Sequence, residues 1–239
     1  MKLFVSSDPH GFYSLWRAAL DGAGFDPENP GHIPLLLGDL FDRGSENLAM
    51  LEAAETLPRL RLVRGNHEDN LAALLRRGAL LKEDYANGTD VTIAEFFGDA
   101  GFSDQSPMKT RLLRLLSSMP DYLETEHYVF VHGWLPLRFR EDGPYIPEDW
   151  RCASEEEWNT AHTLEWQQTY PAGLTLPDKT IVCGHRPASL CHYLVPGRYH
   201  DDHFPFSAPG ILALDGDTAK SGVVNVAVLE EDRFFTNGI

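Results

Sequence analysis

Short apolar runs alternate with segments of helical periodicity along the first third of the chain. The runs are brief and rich in Leu, Val, Ile and Phe, which is typical of strands buried on both faces. They predict three strands, at residues 2–7, 33–37 and 60–64. Three helices are predicted to follow them, at residues 12–23, 45–57 and 67–77. This alternating order predicts a parallel sheet with helical crossovers.

The rest of the chain carries the same mixture, with neither an internal repeat nor a low-complexity tract. The spacing of apolar residues predicts helices at 92–98, 108–118 and 155–170. Strands are predicted at 128–131, 180–183, 211–214 and 223–229, the last closing a hairpin onto Phe234 and Phe235. No linker rich in Pro, Gly or Ser separates the halves. We therefore expect a single domain over residues 1–239, an α/β protein in which two sheets are flanked by helices.

Polar side chains gather where the predicted strands end. Five strand ends supply residue types that bind metals: Asp8 and His10, Asp39 and Asp42, Asn66 and His67, His132, and His185. The carboxyl ends of strands in open α/β sheets are where such folds place their ligand sites. Pro9 favours an extended backbone at Asp8, which would let Asp8 and His10 point at one ion. Taken singly, each group is more typical of a turn, a surface ion pair or a helix cap; the joint pattern indicates a metal site.

The donor set narrows the choice of metal. Asp8, His10, Asp39, Asn66, His132 and His185 offer oxygen and nitrogen atoms without a thiolate. Such a mixed shell suits manganese, iron or zinc rather than calcium, and we expect manganese first. A single catalytic ion keeps one position open for water, so six protein ligands exceed its needs. Two divalent ions that share a bridging carboxylate account for the number better.

These motifs together resemble those of the calcineurin-like metallophosphoesterases. The family pattern is D-x-H, G-D-x-x-D-R-G, G-N-H-E, a V-H-G strand end and a late G-H, and all five elements occur between Asp8 and His185. The resemblance implies the family fold, a two-sheet β sandwich flanked by helices in four αββα layers. It also implies two metal ions bridged by Asp39: Asp8 and His10 complete the first site, and Asn66, His132 and His185 complete the second.

The same resemblance implies a mechanism. A hydroxide bridging the two ions would attack phosphorus, with His67 as the general acid for the leaving oxygen and Asp42 as the carboxylate that orients His67. Arg43 would bind phosphate oxygens with its planar guanidinium. Many relatives continue the last motif as G-H-x-H, whereas Pro187 stands there in this chain. In that departure the chain resembles the branch of Ser/Thr protein phosphatases and diadenosine tetraphosphatases.

A second phosphate-binding arginine is expected in that branch, between the V-H-G and G-H motifs. The helical stretch 158–162 resembles its place but offers His162 instead. The alternatives are Arg138, Arg140, Arg151 and Arg186. One further stretch is rich in histidine and aspartate: His192, His200, Asp201, Asp202 and His203. It could form an accessory metal or substrate loop, but its composition is more typical of a solvated polar loop.

The leading functional interpretation is a phosphomonoesterase that acts on phosphoserine, phosphothreonine or a similar ester. The enzymatic alternative is a hydrolase of dinucleoside polyphosphates such as diadenosine tetraphosphate. The alternative from another class is a calcineurin-like scaffold that binds partners without turnover. The presence of His67 and Asp42 beside a complete ligand set argues against the scaffold.

Charge and cysteine content limit the partners. With 20 Lys and Arg against 36 Asp and Glu, the net charge is 20 − 36 = −16, which repels nucleic acids and anionic membranes. A phosphorylated substrate must therefore be held by local positive charge or by metal ions. Three cysteines without a C-x-x-C pair, and an amino terminus lacking a signal-peptide core, favour a cytoplasmic location. The sequence indicates no oligomeric state.

Overall fold

The computed structural model describes residues 1–98, 105–194 and 202–235. Its first sheet contains β1 (Lys2–Ser6), β2 (His32–Leu37), β3 (Arg61–Val63) and β11 (Ala227–Glu230), in the order β11-β1-β2-β3. Strands β1, β2 and β3 run parallel, as predicted, and β11 pairs with β1 antiparallel. Helices connect and cover these strands: α1 (Tyr13–Gly22), α2 (Asn47–Thr56) and α3 (Asn66–Arg77).

The second sheet is mixed. It contains β4 (Leu123–Glu124), β5 (Tyr128–Phe130), β8 (Thr180–Cys183), β9 (Phe206–Ala208) and β10 (Ile211–Ala213), in the order β4-β5-β8-β10-β9. The three central strands are parallel, whereas β4 and β9 form antiparallel edges. A separate hairpin consists of β6 (Arg138–Arg140) and β7 (Gly143–Tyr145).

The remaining helices lie between and around these strands. They are α4 (Lys82–Asn87), α5 (Thr89–Phe97), α6 (Pro107–Ser118), α7 (Glu155–His162), α8 (Trp166–Thr169) and α9 (Thr218–Ser221). Within the described residues, 3₁₀ segments cover Trp150–Cys152 and Ala188–Leu194.

Three apolar layers hold the sheets and helices together. Between the sheets, Leu3, Val5 and Leu35 from the first pack with Phe130 and Val182 from the second. Side chains that alternate with these along the strands pack outwards against helices on either side. The fold is therefore the four-layer αββα sandwich expected from the sequence.

Two predicted elements are wrong in detail. The helix predicted at 155–170 is two helices, α7 and α8, because Thr163 ends the first and the backbone of Glu165 is extended. The predicted final hairpin does not form: β11 pairs with β1, and Phe234 bridges Thr125 of the second sheet. The carboxyl end of the described chain thus contacts both sheets.

Candidate metal centre

The loops after the strands carry an unusual backbone. Six residues there adopt positive φ angles: Asp8 (53°), His10 (46°), Asp39 (53°), Asp42 (74°), Arg43 (65°) and His185 (68°). The expectation that Pro9 holds Asp8 extended is therefore wrong. Residues other than glycine adopt this backbone region at a cost of about 1–3 kcal/mol each, and clusters of such residues mark functional sites. Backbone bonds from His10 N to Asp39 O (3.0 Å) and from Gly11 N to Leu40 O (2.7 Å) hold the loops in place.

Asp39 lies at the centre of the cluster, with three imidazoles facing it. The Nε2 atoms of His132, His10 and His67 lie 3.2, 3.6 and 3.7 Å from its carboxylate oxygens. The Asp39 side chain is buried. Burial alone would raise the pKa of Asp39, but the neighbouring His132 and His67 outweigh burial and hold it well below the ordinary value. Asp39 is thus a buried carboxylate that stays ionised.

Backbone carbonyls fix the orientation of two of these rings. His10 Nδ1 donates to Phe41 O at 3.1 Å, and His132 Nδ1 donates to Leu37 O at 2.8 Å. Both rings therefore present Nε2 to Asp39, an arrangement typical of metal-binding histidines. His132 Nε2 also lies 2.9 Å from Asn66 Oδ1. Burial opposes a charge on His132, but Asp39 and Asp8 outweigh it and raise the pKa of His132 to about 10.

The spacing of the possible ligand atoms shows whether metal ions fit in this cluster. His10, Asp39 and His67 each offer a ligand atom within 4.8 Å of the others, and so do Asp39, His132 and His185. Asp39 is common to both groups, as a bridging ligand must be. These buried nitrogen and oxygen donors fit two divalent cations, whose charge would take the place of the proton that His132 carries beside Asp39.

Asp8 and His185 join the two sheets next to these groups. The backbone N–H of His185 donates to both carboxylate oxygens of Asp8, each at 3.0 Å. Burial raises the pKa of Asp8 to about 6. Burial, helped by His132, lowers the pKa of His185 to about 3, so its ring is neutral and its lone pair free for a cation. The expected first site was Asp8, His10 and Asp39. Asp8 lies outside both groups of three, and His67 takes its place beside His10 and Asp39.

His67 and Asp42 form a buried pair beside Asp39. His67 Nδ1 donates to Asp42 Oδ2 at 2.6 Å. Burial opposes protonation of His67, but Asp39 and the hydrogen bond to Asp42 outweigh burial and raise its pKa. The exposed Arg43 places its guanidinium above this pair, 2.8 Å from His10 Nε2 and 3.3 Å from His67 Nε2. The predicted acid, its orienting carboxylate and the predicted phosphate ligand are thus brought together.

Glu68 is a residue whose part in the site the sequence analysis missed. Its carboxylate accepts hydrogen bonds from the backbone N–H groups of Asp39 (2.8 Å), Leu40 (2.9 Å) and Gly65 (2.9 Å). Burial and the charge of Asp39 raise the pKa of Glu68 to about 7. Glu68 therefore links the start of α3 with the loop that contains Asp39. An acidic residue three positions after the residue that caps a helix, as in G-N-H-E, is the signal that points to this role.

His162 does not offer its ring to the metal centre. It is fully buried, and its Nδ1 lies 2.7 Å from Asp69 Oδ2. Three of the alternative arginines are engaged elsewhere: Arg138 with Asp149 and Glu157, Arg140 over the ring of Tyr145, and Arg151 with Glu124. Arg186 follows His185 directly and pairs with Glu165 at 3.0 Å, with its side chain 39% exposed. Its charge contributes to lowering the pKa of His185, so Arg186 lies beside the site.

The histidine-rich stretch is described only in part, because His200 and Asp201 lie outside the described residues. His192 is buried, 3.8 Å from Asp202. Within the described ranges, His192, Asp202 and His203 do not form a third metal-type group.

Comparisons with known proteins identify the class. The family model described as calcineurin-like phosphoesterase matches residues 1–217, so the chain belongs to this family of metal-dependent phosphoester hydrolases. No curated protein sequence matches the chain. Among the residues that the structure describes, no helix has both the length and the apolar character needed to span a membrane.

Two of the solved structures that are similar to this chain match almost its whole length. One is a proposed diadenosine tetraphosphatase, with a TM-score of 0.60, 15% identity, and coverage of 99% of this chain and 95% of that one. The other is a cold-active protein-tyrosine phosphatase from a psychrophilic Shewanella species, with a TM-score of 0.55, 13% identity, and coverage of 98% and 76%. At these identities the similarity shows a shared fold.

Proposed function

We propose that the protein is a phosphomonoesterase that works with two divalent metal ions. Asp8, His10 and Asp39 would hold the first ion, and Asp39, Asn66, His132 and His185 the second. The observation that carries the proposal is the buried, ionised Asp39 faced by three imidazole Nε2 atoms, with the His67–Asp42 pair beside it. The ions, when bound, supply Lewis acidity: they acidify water and offset the charge on phosphate oxygens.

The residues of the chain supply binding and proton transfer. Arg43 is exposed at the mouth of the site, so its guanidinium can bind phosphate oxygens that arrive from solvent. His67 in its protonated form donates the Nε2 proton to the leaving oxygen, which departs as an alcohol and leaves a neutral ring. Asp42 accepts from Nδ1 throughout, which keeps Nε2 directed outwards. The raised pKa of His67 favours the form that can donate.

The geometry also fits His67 as a metal ligand, because its Nε2 lies within reach of the His10 and Asp39 donors. We assign His67 as the acid because Asp8, a strand-end carboxylate, is available to complete the first site. The two roles predict different results for His67→Asn. If His67 is the acid, the variant keeps both metal ions; if His67 is a ligand, the variant loses metal.

A terminal phosphate is the proposed reacting group, with phosphoserine and phosphothreonine peptides in the substrate class. Arg43 and the two ions are sufficient to hold one such group. Arg186 favours a second candidate, hydrolysis of a dinucleoside polyphosphate, because it adds an exposed positive charge beside His185 for a further phosphate. We keep the monoesterase first because Arg186 is already paired with Glu165, whereas Arg43 has no carboxylate partner among its described contacts.

A substrate panel tests the proposal directly. Phosphomonoesters, phosphodiesters, phosphopeptides and diadenosine tetraphosphate should be assayed with added manganese, and we expect the monoesters and phosphopeptides to react fastest. His67→Asn should abolish most of this turnover. His127→Asn is the matched control, since His127 also pairs through Nδ1 with a buried carboxylate, that of Glu231, but its own side chain is exposed. Exclusive cleavage of nucleotides or diesters would contradict the leading substrate, and no turnover of any ester would favour a scaffold.

A further inference from the structure

Two threonines bind the carboxylate that orients His67. Thr89 Oγ1 donates to Asp42 Oδ2 at 2.8 Å, and Thr92 Oγ1 donates to Asp42 Oδ1 at 2.7 Å. Both threonines are fully buried, and Asp42 is 1% exposed. Together with His67 Nδ1, Asp42 therefore accepts three side-chain hydrogen bonds in a place closed to water. The sequence motifs gave no indication of either threonine.

The hydroxyl of Thr92 bonds both the backbone and the side chain of Asp42. Its oxygen accepts from the backbone N–H of Asp42 at 3.0 Å, and its own proton has Asp42 Oδ1 at 2.7 Å as the nearer acceptor, against 3.5 Å for Asn47 Oδ1. Thr89 shares Oδ2 with His67, so this oxygen receives two donors. Hydrogen bonds to an ionised acceptor are stronger than neutral ones, and three of them fix the plane of the carboxylate.

Helix α5, which carries both threonines, is attached to the loop that follows β2. Glu95 of α5 accepts from Asn47 N (2.9 Å), Asn47 Nδ2 (2.8 Å) and Leu48 N (2.8 Å) at the start of α2. Asn47 Oδ1 in turn accepts from the N–H of Asp42 at 3.1 Å. At the start of α5, Gly88 has a φ of +79°, and a Cβ there would lie 2.8 Å from the backbone nitrogen of Arg43. The helix thus packs directly against the residues that serve the site.

We infer that Thr89 and Thr92 are positioning residues for proton transfer by His67. They hold the Asp42 carboxylate in the orientation that keeps the His67 Nε2–H directed at the leaving oxygen. This inference rests on the proposed function, in which His67 is the general acid. It gives α5 a role in orienting His67, in addition to the roles of the metal-ligand and phosphate-binding residues.

A double-mutant cycle tests the inference. Thr92→Val keeps the shape of the side chain but removes the hydroxyl, and it should lower kcat on an alkyl phosphate by about ten- to a hundredfold, the usual effect of one hydrogen bond to a charged group. An activated aryl phosphate needs little protonation and should be affected much less. Thr92→Ser should restore the alkyl rate. In a His67→Asn background, Thr92→Val should change kcat by less than about twofold, because the group it positions is gone.

A spectroscopic readout separates the inference from the proposed function. The His67 Nδ1 proton, bound to Asp42, should give a far-downfield ¹H NMR signal, assigned by its loss in His67→Asn. Thr92→Val and Thr89→Val should shift or broaden this signal, and Thr92→Ser should preserve it. Thr56→Val is the control, since Thr56 binds the carbonyl of Glu52 on the surface of α2.

The outcomes are distinct. If the wild-type protein hydrolyses no phosphoester, the proposed function fails, while an altered signal in Thr92→Val still supports the positioning of His67. If the enzyme is active and Thr92→Val lowers both ester rates equally, or leaves the signal of His67 unchanged, the positioning inference is overturned.

Discussion

Gly184 is the position where the structure predicts the sharpest effect of a single methyl group. It lies between β8 and His185, against Ser7 and the carboxylate of Asp8. Its φ lies outside the left-handed region that favours glycine. The obstacle to Gly184→Ala is therefore space: a Cβ would lie 2.6 Å from both Ser7 Cβ and Ser7 Oγ, and closer still to Asp8 Oδ2.

The distances set the size of the effect. Ordinary contact begins at 3.4 Å, so Ser7 must retreat by at least 3.4 − 2.6 = 0.8 Å, and Asp8 by more. Such a shift removes the two 3.0 Å bonds from His185 N to Asp8. Overpacking and the loss of charge-assisted bonds together cost about 2–4 kcal/mol of unfolding free energy. For a chain of this size that corresponds to a Tm lower by about 5 to 15 °C.

Metal binding should weaken as well, because both Asp8 and His185 are displaced. Changes to residues that orient metal ligands typically cost about ten- to a hundredfold in affinity. Titration calorimetry with manganese and thermal unfolding with and without the metal measure the two effects. Gly22→Ala is the control, since nothing lies within 4 Å of a Cβ there. Unchanged affinity and Tm in Gly184→Ala would refute this account of how the two sheets meet at the site.

Three further predictions concern the chemistry. His67→Asn should keep both metal ions and lower kcat on alkyl phosphates by roughly 10²- to 10⁴-fold, with a smaller loss on activated aryl phosphates; metal analysis showing a lost ion would instead make His67 a ligand. Arg186→Ala should raise the KM for diadenosine tetraphosphate by about tenfold with kcat retained, whereas Arg151→Ala, which breaks a pair with Glu124, should not; equal KM values for this substrate in both variants would show that Arg186 does not bind the further phosphate. Because burial raises the pKa of Asp8 to about 6, metal must displace a proton from it at lower pH, so affinity should fall as pH drops through this value, and calorimetry in two buffers of different ionisation enthalpy should reveal proton release. Identical heats in both buffers would contradict that assignment.

The sequence predicted the strands and the residues at their ends because both signals are local. An apolar run followed at once by Gly38 and Asp39, or by Gly65 and Asn66, places the polar residue at the sheet edge whatever the rest of the chain does. Parallel pairing aligns these ends within each sheet, and docking of the two sheets brings the ends together. The structure shows ligand atoms of His10 and His67 within 4.8 Å of Asp39 in one group, and those of His132 and His185 within 4.8 Å of Asp39 in another.

What the sequence missed depends on partners far away along the chain. Periodicity identified a strand near residue 227 but could not show that it pairs with β1 rather than with a neighbour. Thr89 and Thr92 lie 47 and 50 residues from the aspartate that they bind, in a helix without a motif. His162 stood at a suitable helical position, but its ring turns to Asp69, 93 residues away. Local patterns do not specify such side-chain directions.

The bonds that join the two sheets at the site have a consequence for folding. His132 binds Leu37 O across 95 residues of chain, Asn66 reaches His132 across 66, and His185 binds Asp8 across 177. Closing loops of this length costs entropy before any contact is gained, and proteins dominated by such distant pairings fold slowly. Each motif is complete within a few residues, yet none can assemble the site until both sheets have formed and docked. The centre should therefore be among the last parts of the native state to form, and a cation that binds there would stabilise the docked sheets by mass action.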